Sequence, residues 1–138
     1  MIRFFGGRVM TLANGIETQD IEVWTEGSKI VFVGKPKAEE LDGKVFEREY
    51  DLKGNLLMPS FKNAHTHSAM TFLRSYADDM PLQDWLFKQI FPMEAKLDGE
   101  KVYWLTKLAI LEYLTTGCTA AFDMYFENDK EAKNFAAA

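Results

Sequence analysis

Histidine is almost absent from this 138-residue chain, and both copies fall in one five-residue stretch, Asn63-Ala64-His65-Thr66-His67. Cysteine is scarcer: Cys118 stands alone, so no intrachain disulfide can form and the stapled scaffolds of small secreted proteins are excluded. No apolar run approaches the ~18 residues of a membrane span. The opening MIRFFGGRVMTLANG has a basic residue but no sustained apolar stretch, unlike a secretory signal. Positive charge is also short. Sixteen Lys and Arg against 21 Asp and Glu leave a net charge of −5, and without a basic stripe such a surface repels phosphate backbones. Nucleic acid and membrane are therefore set aside as partners, a nucleoside without its phosphates is not, and the expected location is the cytoplasm.

What is present is apolar. Eleven Phe, five Tyr and three Trp are enough to pack a core, which argues against intrinsic disorder. The length suits one ordinary domain, or a small domain with part of another.

Residues 1–53 read as β structure. RVMTL (8–12), the alternation of Ile21 and Val23 against Glu22 and Trp24, SKIVFVG after the Glu26-Gly27 turn, and KVFEREYDL (44–52) are strand candidates, with Asn14-Gly15 a tight-turn signal. Strands this short predict a small antiparallel sheet or half-sandwich. From residue 54 to 138 the pattern changes. NLLMPSF predicts a strand buried on both faces. PLQDWLFKQIF predicts a helix with Pro81 at its first position and Leu82, Trp85, Leu86 and Ile90 at helical spacing. DGEKVYWLTKLAILEYLTTG predicts a longer helix, capped by Asp98, carrying Val102, Leu105, Leu108, Ala109 and Glu112 along its turns, and stopped at Gly117. CTAAFDMYF (118–126) predicts a second buried strand. Strand, helices, strand is the order of an α/β fold with a parallel sheet. The tail KEAKNFAAA signals only helix propensity.

Side chains two apart on a strand share a face, so His65 and His67 project together while Thr66 points away. Two adjacent imidazoles make two legs of a metal site, and strand ends are where parallel α/β folds gather ligands. The alternative is a pair of polar loop residues. Asp123, at the end of the second strand, reads better as a loop cap than as a site residue. Cys118 reads as a buried inert thiol, and Asp78-Asp79 as a helix entry.

The stretch LLMPSFKNAHTHSAMTFLRSYADDMPLQDWLFKQIFPMEAKL, with TTGCTAAFDMYF further on, resembles the amidohydrolase superfamily, in the branch of methylthioadenosine/S-adenosylhomocysteine deaminases and chlorohydrolases. Ser60 and Lys62 depart from the family pattern, standing where glycine and an apolar residue are usual. The resemblance implies an N-terminal β-sandwich segment (1–53) followed by the first βα units of a metal-dependent (β/α)8 barrel (54–138). At ~30 residues per unit the chain is too short for the whole barrel, so it is expected to be the front piece of a longer enzyme, with the catalytic acid–base residues and remaining metal ligands in its missing part.

The resemblance assigns metal binding to His65 and His67, contact with ribose hydroxyls to Glu94, and a wall of the substrate cleft to Trp85. The alternatives are an ordinary helix-surface carboxylate for Glu94 and core packing for Trp85. It implies one divalent ion, zinc or alternatively iron, that activates water to displace ammonia from an adenosine-type nucleoside: S-adenosylhomocysteine, methylthioadenosine or adenosine. Other readings are a chlorohydrolase or a guanine or cytosine deaminase-like enzyme acting on another heteroaromatic ring, or a non-catalytic binding or assembly module. A homo-oligomer is a further expectation.

Overall fold

The computed structural model describes residues 1–13 and 15–125, so the Asn14-Gly15 turn and the KEAKNFAAA tail fall wholly or partly outside the described residues. The chain divides into two compact units, Met1–Pro59 and Ser60–Ala138.

The first unit holds strands β1 (Ile2–Phe5), β2 (Arg8–Thr11), β3 (Glu17–Gln19), β4 (Glu22–Glu26) and β5 (Lys29–Gly34). A helical turn, α1 (Ala38–Leu41), and strands β6 (Arg48–Asp51) and β7 (Leu56–Leu57) follow. One sheet runs β5-β4-β1-β6 and the other β3-β2-β7. Neither is purely antiparallel, as the strand spacing suggested. β1 pairs antiparallel with β4 but parallel with β6, and β2 pairs antiparallel with β3 but parallel with β7. The reason is β1, too short to stand out in the sequence, which lies between β4 and a strand arriving some forty residues later. At the β1–β2 junction a side chain at Gly7 would run into the Asn55 carbonyl and the Leu52 side chain, and Gly6 turns at φ +70°.

One cluster ties the larger sheet together. The Arg3 guanidinium on β1 donates to Glu22 on β4 (2.7 and 2.6 Å) and to Glu49 on β6 (2.9 Å), and the Trp24 indole N–H also donates to Glu22 (2.9 Å). Val9, Val23 and Trp24 are buried. KVFEREYDL contributes less strand than expected: only Arg48–Asp51 pairs, while Phe46 sits edge-on to Trp24 at 5.2 Å.

NLLMPSF is not one buried strand. Its leucines form β7 in the first unit, and the strand carrying the histidines, β8 (Phe61–Thr66), begins after the Met58-Pro59-Ser60 break. In the second unit β8 leads to a 3-10 segment (Ser68–Leu73), then to a continuous helical stretch. That stretch is α2 (Leu82–Asp84), a widened π turn (Trp85–Ile90) and α3 (Phe91–Glu94), and α4 (Gly99–Thr115) and β9 (Cys118–Asp123) complete the unit. The Asp98 carboxylate accepts from the Lys101 N–H (3.0 Å), capping α4 as expected, and Gly117 leaves the helix at φ +80°. Buried Val102, Thr106 and Ala109 form the inner stripe of α4, whereas Leu108 is exposed. Ile90 is buried and Leu82 exposed.

β8 and β9 pair in parallel, Phe61 opposite Cys118 and Thr66 opposite Asp123, which is the predicted strand–helix–strand order. They are not buried on both faces: Phe61 and Phe122 are exposed. α4 packs on this strand pair, and parallel strands ordinarily have both faces covered.

Candidate metal centre

His65 sits near the end of β8 and His67 just beyond it, opening the 3-10 segment. Both are exposed, and their ring centroids lie 5.0 Å apart with planes inclined at 75°. The i, i+2 spacing therefore brings the imidazoles together. Rings at this separation are close enough for one nitrogen of each to reach a shared ion. The donor chemistry and the separation both fit a divalent cation. Catalytic sites use three protein ligands, and among the described residues no group of three or more His, Cys, Asp or Glu side chains is assembled for a metal.

A cavity of about 290 Å³ opens beside His67, with Trp85, Tyr113, Arg74 and Glu112 in its walls. Trp85, the first residue of the widened turn, lines it. The structure thus brings Trp85 and His67 to one hollow; Glu94, half-buried at the end of α3, is not among the cavity's lining residues. Arg74 and Glu112 form a 2.7 Å ion pair there. The Arg74 guanidinium holds the Glu112 carboxyl below the usual carboxylate range, and Glu112 in turn raises Arg74.

Asp123 does more than cap a loop. One carboxylate oxygen accepts from the Ser68 N–H and the other from the Tyr125 N–H, each at 2.9 Å, so it steadies the residue that follows His67. Tyr113, Thr66 and Ser68 were not singled out by the sequence reading. The signal was there in principle: Thr66 and Ser68 have the parity opposite to the histidines, and Tyr113 lies seven residues beyond buried Thr106 on α4. The departures Ser60 and Lys62 are partnered. Lys62 Nζ donates to Ser60 Oγ (2.9 Å) and Thr119 Oγ1 (2.8 Å), and those two hydroxyls bond each other, linking β8 to β9.

Residues 56–138 match the amidohydrolase family. A 5-methylthioadenosine/S-adenosylhomocysteine deaminase of Pelotomaculum thermopropionicum is 45% identical over 114 residues, 83% of this chain and 26% of the relative. A 5'-deoxyadenosine deaminase of Methanoregula boonei is 54% identical over 83 residues, 60% of this chain and 19% of the relative. Among solved structures, an adenosine deaminase from Xanthomonas campestris with bound zinc superposes with a TM-score of 0.86 at 33% identity, over 99% of this chain and 31% of that one. The chain thus spans about a quarter of the length of the first of these relatives. The strand–helix–strand unit is the start of a TIM-barrel-like domain.

Proposed function

Because the chain belongs to the amidohydrolase family, we propose that it carries the first two metal ligands of a zinc-dependent hydrolase that releases ammonia from an adenosine-type nucleoside. The observation that carries the reading is the pair of exposed imidazoles 5.0 Å apart at the end of β8. His65 and His67 would hold the ion. When bound, it supplies Lewis-acid activation of water at neutral pH. The names of the bacterial and archaeal relatives support a nucleoside substrate, and the zinc of the Xanthomonas enzyme supports the metal.

The remaining residues act by binding. The Trp85 indole, half-buried in the hollow beside His67, offers a flat apolar surface to a purine. The Glu94 carboxylate has two oxygens, which suit the two adjacent hydroxyls of ribose. No residue of this chain is assigned the proton transfer that the departing amine requires.

Zinc content and ammonia release test the proposal together. The full-length protein should hold about one zinc, His65→Asn and His67→Asn should lose it, and adenosine, methylthioadenosine or S-adenosylhomocysteine should be turned over in preference to triazines. Glu94→Ala should raise KM about 10- to 100-fold for ribosylated substrates and leave KM for a free base unchanged; equal losses would remove Glu94 from the ribose site. A protein that binds no zinc and releases no ammonia from any of these substrates would instead be a binding or assembly module.

A further inference from the structure

An imidazole at the end of a strand is aimed only as well as the peptide beneath it. His67 has φ −133° and ψ 77°, outside regular strand and helix, so neighbouring contacts must hold its direction. The structure places such contacts on both sides of it. The Tyr113 hydroxyl shares hydrogen bonds with Thr66 Oγ1 (2.6 Å) and Ser68 Oγ (2.7 Å), bracketing His67 from α4. The Met124 N–H donates to the Thr66 carbonyl (2.9 Å), the Ser68 N–H donates to Asp123 (2.9 Å), and the Met70 N–H donates to the His67 carbonyl (3.0 Å).

The 3-10 segment explains why α4 is the anchor. At about three residues per turn, Ser68, Thr71 and Arg74 fall on one face. Each meets α4: Ser68 at Tyr113, Thr71 Oγ1 at the Leu105 carbonyl (3.1 Å), Arg74 at Glu112 (2.7 Å). Tyr113 is the member of this set that also reaches back across His67 to the strand. His65 is held differently, inside β8 and its pairing with β9, with its own N–H donating to Asn63 Oδ1 (3.1 Å).

We infer that Tyr113 is a positioning residue for metal binding: its hydroxyl, acting through Thr66 and Ser68, sets the direction of the His67 imidazole. The inference rests on the reading of His67 as a metal ligand. Tyr113→Phe removes the hydroxyl and keeps the ring. In the full-length protein, chelator competition should show zinc bound about tenfold more weakly by Tyr113→Phe, the low end of the 10- to 100-fold loss usual for groups that orient metal ligands. Saturating zinc should return kcat close to the wild-type value, and the melting temperature of the metal-free protein should change little. A purely structural role would instead lower the metal-free melting temperature and leave a kcat deficit that zinc does not repair. Thr66→Val should reproduce the loss of affinity, Thr66→Ser should restore it, and Thr66→Val combined with Tyr113→Phe should lose less than the product of the single effects. Unchanged affinity in both Tyr113→Phe and Thr66→Val, with His67→Asn losing the metal, overturns the clamp and leaves the proposed function standing. Unchanged affinity in His67→Asn overturns both. If Tyr113→Phe does not fold, the contrast between Thr66→Val and Thr66→Ser decides the matter alone.

Discussion

Replacing Thr106 by valine should stabilise the protein, although it deletes a polar group. Thr106 lies on the inner stripe of α4 at 0% exposure, and its hydroxyl has no hydrogen-bond partner among the described residues. Burying a hydroxyl without a partner costs about 1–3 kcal/mol. Valine has nearly the same shape and helix propensity, and a methyl in place of the hydroxyl adds about 0.8 kcal/mol of burial if the site accepts it. Allowing for imperfect fit, the net gain is about 1–2 kcal/mol. Thr106→Ser reverses the experiment. It keeps the unpaired hydroxyl, removes the buried methyl, and should cost about 1 kcal/mol. Urea denaturation with an unchanged m-value reads both. The reasoning fails if valine destabilises, which would mean that the hydroxyl is paired, or if serine matches the wild type, which would mean that the methyl contributes no burial. Thr106 and Tyr113 are seven residues, about two turns, apart on α4.

Three further outcomes follow from the structure. The hydrogen bond from Arg3 chiefly, opposed by burial and aided by the Trp24 indole N–H, holds the Glu22 carboxyl below its ordinary range. A depressed carboxylate contributes stability above its unfolded pKa of about 4.3 and loses it as pH falls through the folded value. As pH falls from about 6 to below the folded value, the wild type should therefore lose more stability than Glu22→Gln; equal pH slopes would refute the assignment. Asp98→Ala should cost about 1 kcal/mol through loss of the α4 cap, whereas Asp98→Asn should cost little, because the exposed ion pair with Lys101 contributes less than the cap; an Asn variant as unstable as the Ala variant would invert that ranking. Trp85→Ala should raise KM for nucleosides about tenfold or more, the scale of a lost aromatic contact, with zinc content unchanged; loss of zinc would show that the indole supports the metal site instead.

Much was legible locally. The Asp98 cap, the Gly117 stop, the order strand–helix–strand and the convergence of two histidines at i, i+2 all depend on residues within a turn or two of each other, where backbone geometry leaves few choices. Trp85 was legible as a residue, but the widened turn that begins at it was not, since its spacing reads as a regular helix.

The sequence by itself offered the candidate residues for chemistry and marked α4 and β9, because those patterns are carried by short-range spacing. Only the tertiary structure decided partners. The parallel pairing of β1 with β6, the splitting of NLLMPSF between two sheets, and the reach of Tyr113 across 45 and 47 residues to Ser68 and Thr66 all join positions far apart in the chain. No local pattern encodes such choices, since a strand or a hydroxyl presents the same bonding groups to every candidate partner and burial selects among them.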